Sequence, residues 1–157
     1  VRQEVPAKLM LIGDGPDRSE CERLARELHL QKNVIFLGKQ DGLAELLGAA
    51  DIFLMPSQSE SFGLAALEAM ACGVPVVASP VGSNQQITKQ NVNGYLADDE
   101  KEWEAAIRRL LEDAQLRKKM GIAGRQSVES WYSLQAQSPR LEKFLRAAAR
   151  SSAAKSG

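Results

Sequence analysis

Short apolar runs recur along the first hundred residues of this chain, and between them lie segments with the periodicity of helices. The runs are Lys8–Ile12, Asn33–Leu37, Ile52–Met55, Val76–Ser79 and Gly94–Ala97, and the first three end at Gly13, Gly38 and Pro56. A continuous apolar run of this length between turn residues predicts a strand buried on both faces. Between the first two, Cys21, Leu24, Ala25 and Leu28 recur at three and four residues, which predicts a helix over about 17–29 with one apolar face. Smaller helices are predicted over 43–50 and within 57–72, the latter stopped by Gly73-Val-Pro75. Strand and helix in alternation with short links define an α/β fold, a parallel sheet with right-handed crossovers and helices on both faces.

Beyond the fourth run, 80–93 reads as a polar loop with a single helical turn. Helices are predicted over about 101–111 after Asp98 and Asp99, over 114–130 capped by Asp113, and over 134–149 after Ser133, with Pro139 disturbing the last one's first turn. The expectation is one domain over residues 1–150 and a disordered tail over 151–157. The chain begins with Val1 rather than Met, so it reads as a piece excised from something longer.

Charge and composition narrow the classes of partner. Lys and Arg together number 20, as do Asp and Glu, so no global field gathers nucleic acid or an anionic membrane. Any phosphate must be held locally. Cys21, Cys72 and the single histidine, His29, form neither a disulfide framework nor a metal-ligand cluster, and both cysteines read as small buried hydrophobes. No run has the length of a membrane-spanning helix, and a reducing cytoplasm is the expected setting.

The chemistry concentrates in Ser57–Pro75. Ser61 is expected to cap the helix, leaving the amides of Gly63, Leu64 and Ala65 without intrahelical partners at the positive end of the dipole. Such amides bind an anion, and a glycine lets a phosphate approach. Glu68 lies in an otherwise apolar and small-residue helix; if buried it needs donors, which vicinal sugar hydroxyls supply, and Glu60 precedes the same helix. The eight-residue spacing of the two glutamates is weak by itself, because Glu104 and Glu112 repeat it on an ordinary amphipathic helix.

Context is more specific than spacing. Glu60-Ser-Phe-Gly-Leu-Ala-Ala-Leu-Glu68 followed by Ala71-Cys-Gly-Val-Pro-Val76, together with Gly13-Asp-Gly-Pro16, Val34-Ile-Phe-Leu-Gly38, Ala50-Asp-Ile52 and Asn93-Gly-Tyr-Leu96, resembles the carboxyl-terminal, donor-binding domain of retaining glycosyltransferases of family 4. That resemblance covers roughly residues 8–144 and implies a Rossmann-like domain of a GT-B enzyme. It implies that Glu68 binds the ribose of a nucleotide sugar. Glu60, the catalytic-site residue, contacts the transferred hexose-type sugar with the backbone of Phe62 and Gly63. Leu64 and Ala65 hold the diphosphate, Gly38 and Lys39 approach the base, and Gly13 and Gly15 line the nucleotide pocket.

The same resemblance implies transfer with retention, without a cofactor or metal, from a UDP-sugar rather than a GDP-sugar; no Asp-x-Asp triplet occurs. The Val34–Pro75 stretch looks nearest to transferases that put N-acetylglucosamine from UDP onto malate. Two departures stand out. The chain has Val81-Gly-Ser-Asn-Gln-Gln-Ile87 where the family has Val-Gly-Gly and a Pro-Glu pair, so Gln86 replaces a carboxylate. The first strand and its basic residues do not precede Lys8. An amino-terminal acceptor domain is expected to be missing, any membrane contact to run through it, and the piece alone to transfer nothing. Trp131, Tyr132, Leu141, Phe144 and Leu145 then either pack on their own domain or drive self-association. The alternatives are a stand-alone nucleotide-binding module and a nucleotide-sugar epimerase of the same fold. A dinucleotide fingerprint fails at Arg18, which stands in the place of its third glycine.

Overall fold

A computed structural model describes residues 7–153, with side chains to residue 150. By contacts the chain divides into two units, Val1–Glu45 and Leu46–Gly157.

In the first unit, β1 (Leu9–Ile12) and β2 (Val34–Gly38) flank α1 (Arg18–Glu27) and pair in parallel, Leu9 opposite Val34 and Ile12 opposite Gly38, with a register shift between Leu11 and Ile12. The strands' carboxyl ends are tied by the Gly13 amide, which donates to the Gly38 carbonyl at 2.7 Å. Burial on both faces, expected of these strands, is not found: Leu9, Ile12 and Ile35 are all more than one-third exposed. A two-stranded sheet leaves each strand with an edge and cannot enclose itself. On α1 only Ala25 is buried, and Cys21, expected inside, is exposed. The outer face is laced by ion pairs, with Arg23 between Glu20 and Glu27, and that guanidinium holds the Glu20 carboxyl below its ordinary range.

α2 (Ala44–Gly48) spans the division. The second unit contains β3 (Phe53–Met55), α3 (Leu64–Ala71), β4 (Val76–Ala78), α4 (Asn84–Ile87), β5 (Gly94–Leu96), α5 (Glu100–Glu112), α6 (Ala114–Trp131) and α7 (Leu134–Ala153). Its sheet is parallel in the order β3-β4-β5, and the central strand, Val76-Val77-Ala78, is inaccessible to solvent along its length. Here the apolar run meant what it predicted. The core gathers Val77, Tyr95, Ala97, Ala106, Leu110 and Met120, with Leu54 and Trp103 at its margin.

Local chemistry sets the helix ends. The Asp99 carboxylate accepts from the Glu102 amide at 2.9 Å and the Asp113 carboxylate from the Leu116 amide at 2.8 Å, so α5 and α6 begin where their caps predicted. Gly73, at φ 77°, stops α3 as its amide donates to Met70 and that of Val74 to Ala69. Arg117 donates to the Leu110 and Leu111 carbonyls at the end of α5 and pairs with Asp51 at 3.1 Å. Two glycines let α6 lie on α3: a Cβ on Gly121 would stand 1.9 Å from the Gly73 carbonyl oxygen, and one on Gly124 would stand 3.2 Å from Met70.

α7 accommodates Pro139 near its start and runs to Ala153, so residues 151–153, expected to be disordered, are helical. The rest of that tail lies outside the described residues.

Candidate functional site

The Ser57–Pro75 stretch leaves the carboxyl end of β3 through Pro56 and enters α3 through a turn closed by its own glutamate. One carboxylate oxygen of Glu60, Oε1, accepts from the amide of Gly63 at 2.8 Å and from that of Phe62 at 3.2 Å. The expected Ser61 cap is therefore not formed. Gly63 itself is the N-cap residue, in the left-handed region at φ 77°, and no side chain caps the helix. This conformation explains the glycine better than phosphate approach does. Its bare Cα faces inward, where a Cβ would stand 2.8 Å from Ile87 Cδ1, 3.2 Å from Ser83 Oγ and 3.3 Å from Asn84 Oδ1.

The first i→i−4 bond of α3 runs from the Leu67 amide to the Gly63 carbonyl at 3.1 Å. Leu64, Ala65 and Ala66 therefore carry the initial amides that lack intrahelical acceptors, and the helix dipole directs its positive end there. With the Gly63 amide given to Glu60, the set without intrahelical acceptors moves one residue along from the expected Gly63, Leu64 and Ala65. Ala66, which enters it, is wholly buried, and the αL turn that displaces the set has no signal beyond the glycine itself.

Glu68 is exposed, and so is Leu64 four residues before it, whereas Ala66, Leu67, Ala69 and Met70 are buried. Residues four apart share a helix face, so Glu68 stands on the open face below the helix start. The desolvation cost argued for a buried carboxylate does not arise. The two glutamates do different things: Glu60 closes the turn and Glu68 is exposed.

Beside the turn lies an open cleft of about 420 Å³, lined by Ser61, Phe62, Gly82, Ser83, Gln86, Ile87 and Tyr132. Its far wall is held close by Gly82, at φ 52°, where a Cβ would come 1.7 Å from the Glu60 carbonyl oxygen. Asn84, wholly buried, donates through Nδ2 to the Ser79 carbonyl at 3.1 Å and anchors α4 to the end of β4. Buried Asn93 fixes the other end, accepting from the Lys89 amide at 2.7 Å and donating to the Ile87 carbonyl at 3.1 Å. Ser83 and Ile87 were not singled out from sequence as ligand contacts; their only signal was the departure of this loop from the family pattern.

Of the residues expected around the base, Gly13, Gly15, Gly38 and Lys39 belong to the first unit, at the carboxyl ends of its strands. Gly13 and Gly38 have positive φ, as their turns require, the Gly15 amide donates to the Asp14 carboxylate at 2.9 Å, and Lys39 is exposed. Among the described residues no group of three or more His, Cys, Asp or Glu side chains could hold a metal ion, and no helix is long and apolar enough to cross a membrane.

Residues 1–127 match the family described as "Glycosyl transferases group 1", and the chain belongs to that family. It is 45% identical over 128 residues to the N-acetyl-alpha-D-glucosaminyl L-malate synthase of Bacillus anthracis, covering 80% of this chain and 33% of that protein. It is 41% identical over 128 residues to the D-inositol 3-phosphate glycosyltransferase of Salinispora tropica, covering 73% of this chain and 27% of the other. Among solved structures it is similar to Anabaena HepE in complex with UDP, at a TM-score of 0.81 and 26% identity over 90% of this chain and 41% of that one. Its structural neighbours are GT-B glycosyltransferases, and the protein is an enzyme or part of one. The chain spans about a third of the length of the curated relatives it matches.

Proposed function

We propose that this chain is the donor-binding half of a retaining, family 4 glycosyltransferase that moves a hexose-type sugar from UDP to an acceptor held by a further, amino-terminal domain. The observation that carries the reading is the self-closed turn. Glu60 satisfies the Phe62 and Gly63 amides, so the amides of Leu64 and Ala65 open the helix start, with Glu68 on the open face one turn below. A diphosphate suits the amides of Leu64 and Ala65, where its charge meets the dipole without needing a lysine. The ribose hydroxyls donate to Glu68.

Bond cleavage at the anomeric carbon leaves both bonding electrons on the diphosphate oxygen, and the helix dipole stabilises that charge as it develops. The acceptor hydroxyl attacks from the face that the diphosphate leaves and passes its proton to the departing oxygen, which preserves the anomeric configuration. Glu60 retains a second carboxylate oxygen that can accept from a hydroxyl of the transferred sugar. Relatives and neighbours support the donor class: one relative is named N-acetyl-alpha-D-glucosaminyl L-malate synthase and one neighbour is in complex with UDP. Cys21, exposed and outside any disulfide, suits a reducing cytoplasm.

Calorimetry with UDP and GDP tests the site. UDP is expected to bind, and Glu68→Ala to weaken it by about 10-fold or more, the worth of a hydrogen bond to a charged group. Because Glu68 is exposed, the variant should fold normally. Unaltered affinity would move the ribose elsewhere and favour a stand-alone binding module. Turnover of a UDP-sugar by this chain alone would contradict the need for an acceptor domain.

A further inference from the structure

The cleft beside the α3 turn has a chemistry of its own. Its hydrogen-bonding side chains, Ser61, Ser83 and Gln86, are uncharged, and its rings, Phe62 and Tyr132, are 54% and 36% exposed. None of the lining residues carries a full charge at neutral pH. Hydroxyls and an amide both donate and accept, and aromatic faces cover C–H groups; that is a surface for a polyhydroxylated ring.

Two further polar atoms stand in the wall. Ser83 Oγ and Asn84 Oδ1 are buried without a hydrogen-bond partner. A buried polar atom left unpaired is costly, so native proteins keep few of them, and those they keep call for an explanation. Asn84 cannot turn its oxygen away without giving up the bond from its Nδ2 to Ser79. Ser83 lines the cleft, but its Oγ is closed to solvent and faces the bare Cα of Gly63, so it meets a ligand by turning about its Cα–Cβ bond, where it can donate or accept. The loop that carries both is locked against Glu60 by the backbone approach at Gly82, so Ser83 and Gln86 hold a fixed distance from the turn.

We infer that Ser83 and Gln86 determine specificity for the transferred sugar, and that the cleft takes an uncharged ring bearing hydroxyl or acetamido groups and not a uronic acid. This rests on the donor-site reading above. A group attached to a diphosphate seated on Leu64 and Ala65 falls beside Ser61 and Phe62, which belong both to the turn and to the cleft. A carboxylate there loses water and meets no cation among the lining residues, whereas each neutral hydroxyl meets a donor or an acceptor.

The test is calorimetric titration of the 157-residue chain, as wild type, Ser83→Ala and Gln86→Ala, with UDP, UDP-glucose, UDP-N-acetylglucosamine and UDP-glucuronate. The wild type is expected to prefer the better neutral UDP-sugar over UDP-glucuronate by about tenfold, and each variant to lower the ratio of UDP-sugar affinity to UDP affinity by about 2- to 12-fold, the range for one hydrogen bond. Gln86 is exposed, so its variant serves even if Ser83→Ala perturbs the loop. UDP binding with UDP-glucuronate bound as tightly as the neutral sugars, or with ratios unmoved in both variants, overturns this inference alone. Failure of the wild type to bind UDP or any of the three sugars overturns the donor-site reading and this inference with it.

Discussion

Glu60 does with one oxygen what a capping serine does with its hydroxyl, and does it for two amides at once. Charged acceptors make the stronger bonds, so Glu60→Ala is expected to cost about 1.5–3 kcal/mol in urea unfolding, with Glu60→Gln recovering part of that through its remaining carbonyl oxygen. Equal stability of all three proteins would mean that the turn closes without the carboxylate. Sequence could not decide between Ser61 and Glu60, because both are competent acceptors within three residues of the helix start. The hydrogen bonds decide, because the amides of Phe62 and Gly63 both donate to Glu60 Oε1. Glu68 was legible as a residue the helix does not need, but not as an exposed one: the same small-residue sequence serves a helix buried on all sides or open on one.

At the scale of elements, the caps and stops were readable because they are local. Asp99, Asp113 and Gly73 act within a turn of themselves, and the structure puts each where the sequence pattern set it. Strand burial was readable only where neighbours exist on both sides, as for Val76–Ala78 between β3 and β5, and misread for Leu9 and Ile35 on a two-stranded sheet. The packing of α6 on α3 was invisible for a different reason: Gly121 and Gly124 look like weak points in a helix, each less favourable than alanine by about 1 kcal/mol. Their value is the approach they permit. Gly121→Ala is accordingly expected to destabilise the protein despite its better helix propensity, by about 1–3 kcal/mol for overpacking against backbone, as measured by thermal or urea unfolding. A stabilised variant would show that the helices separate freely.

For the molecule as a whole, the apolar side chains of the last helix matter most. Leu134, Leu141, Phe144 and Leu145 are 80%, 59%, 70% and 57% exposed, while Trp131 lies under the Arg140 guanidinium at 4.7 Å. The two outcomes open from sequence were packing on its own domain and exposure, and the structure gives exposure. We expect the chain alone to self-associate through this face, with a sedimentation coefficient that rises with concentration and falls back in a Leu141→Ser, Phe144→Ser double variant. A monomer at every concentration would remove the expectation.

The contact between Gly82 and the Glu60 carbonyl is made by backbone on both sides. Neither partner asks anything of the side chains at positions 85 and 86, which project from a loop whose place Gly82 and the buried Asn84 settle. On the donor-site reading proposed above, the turn for phosphate is thereby insulated from the loop beside the sugar. A lineage could then exchange residues 85 and 86, trying new donors one substitution at a time, without disturbing the turn; an engineer could do the same by library.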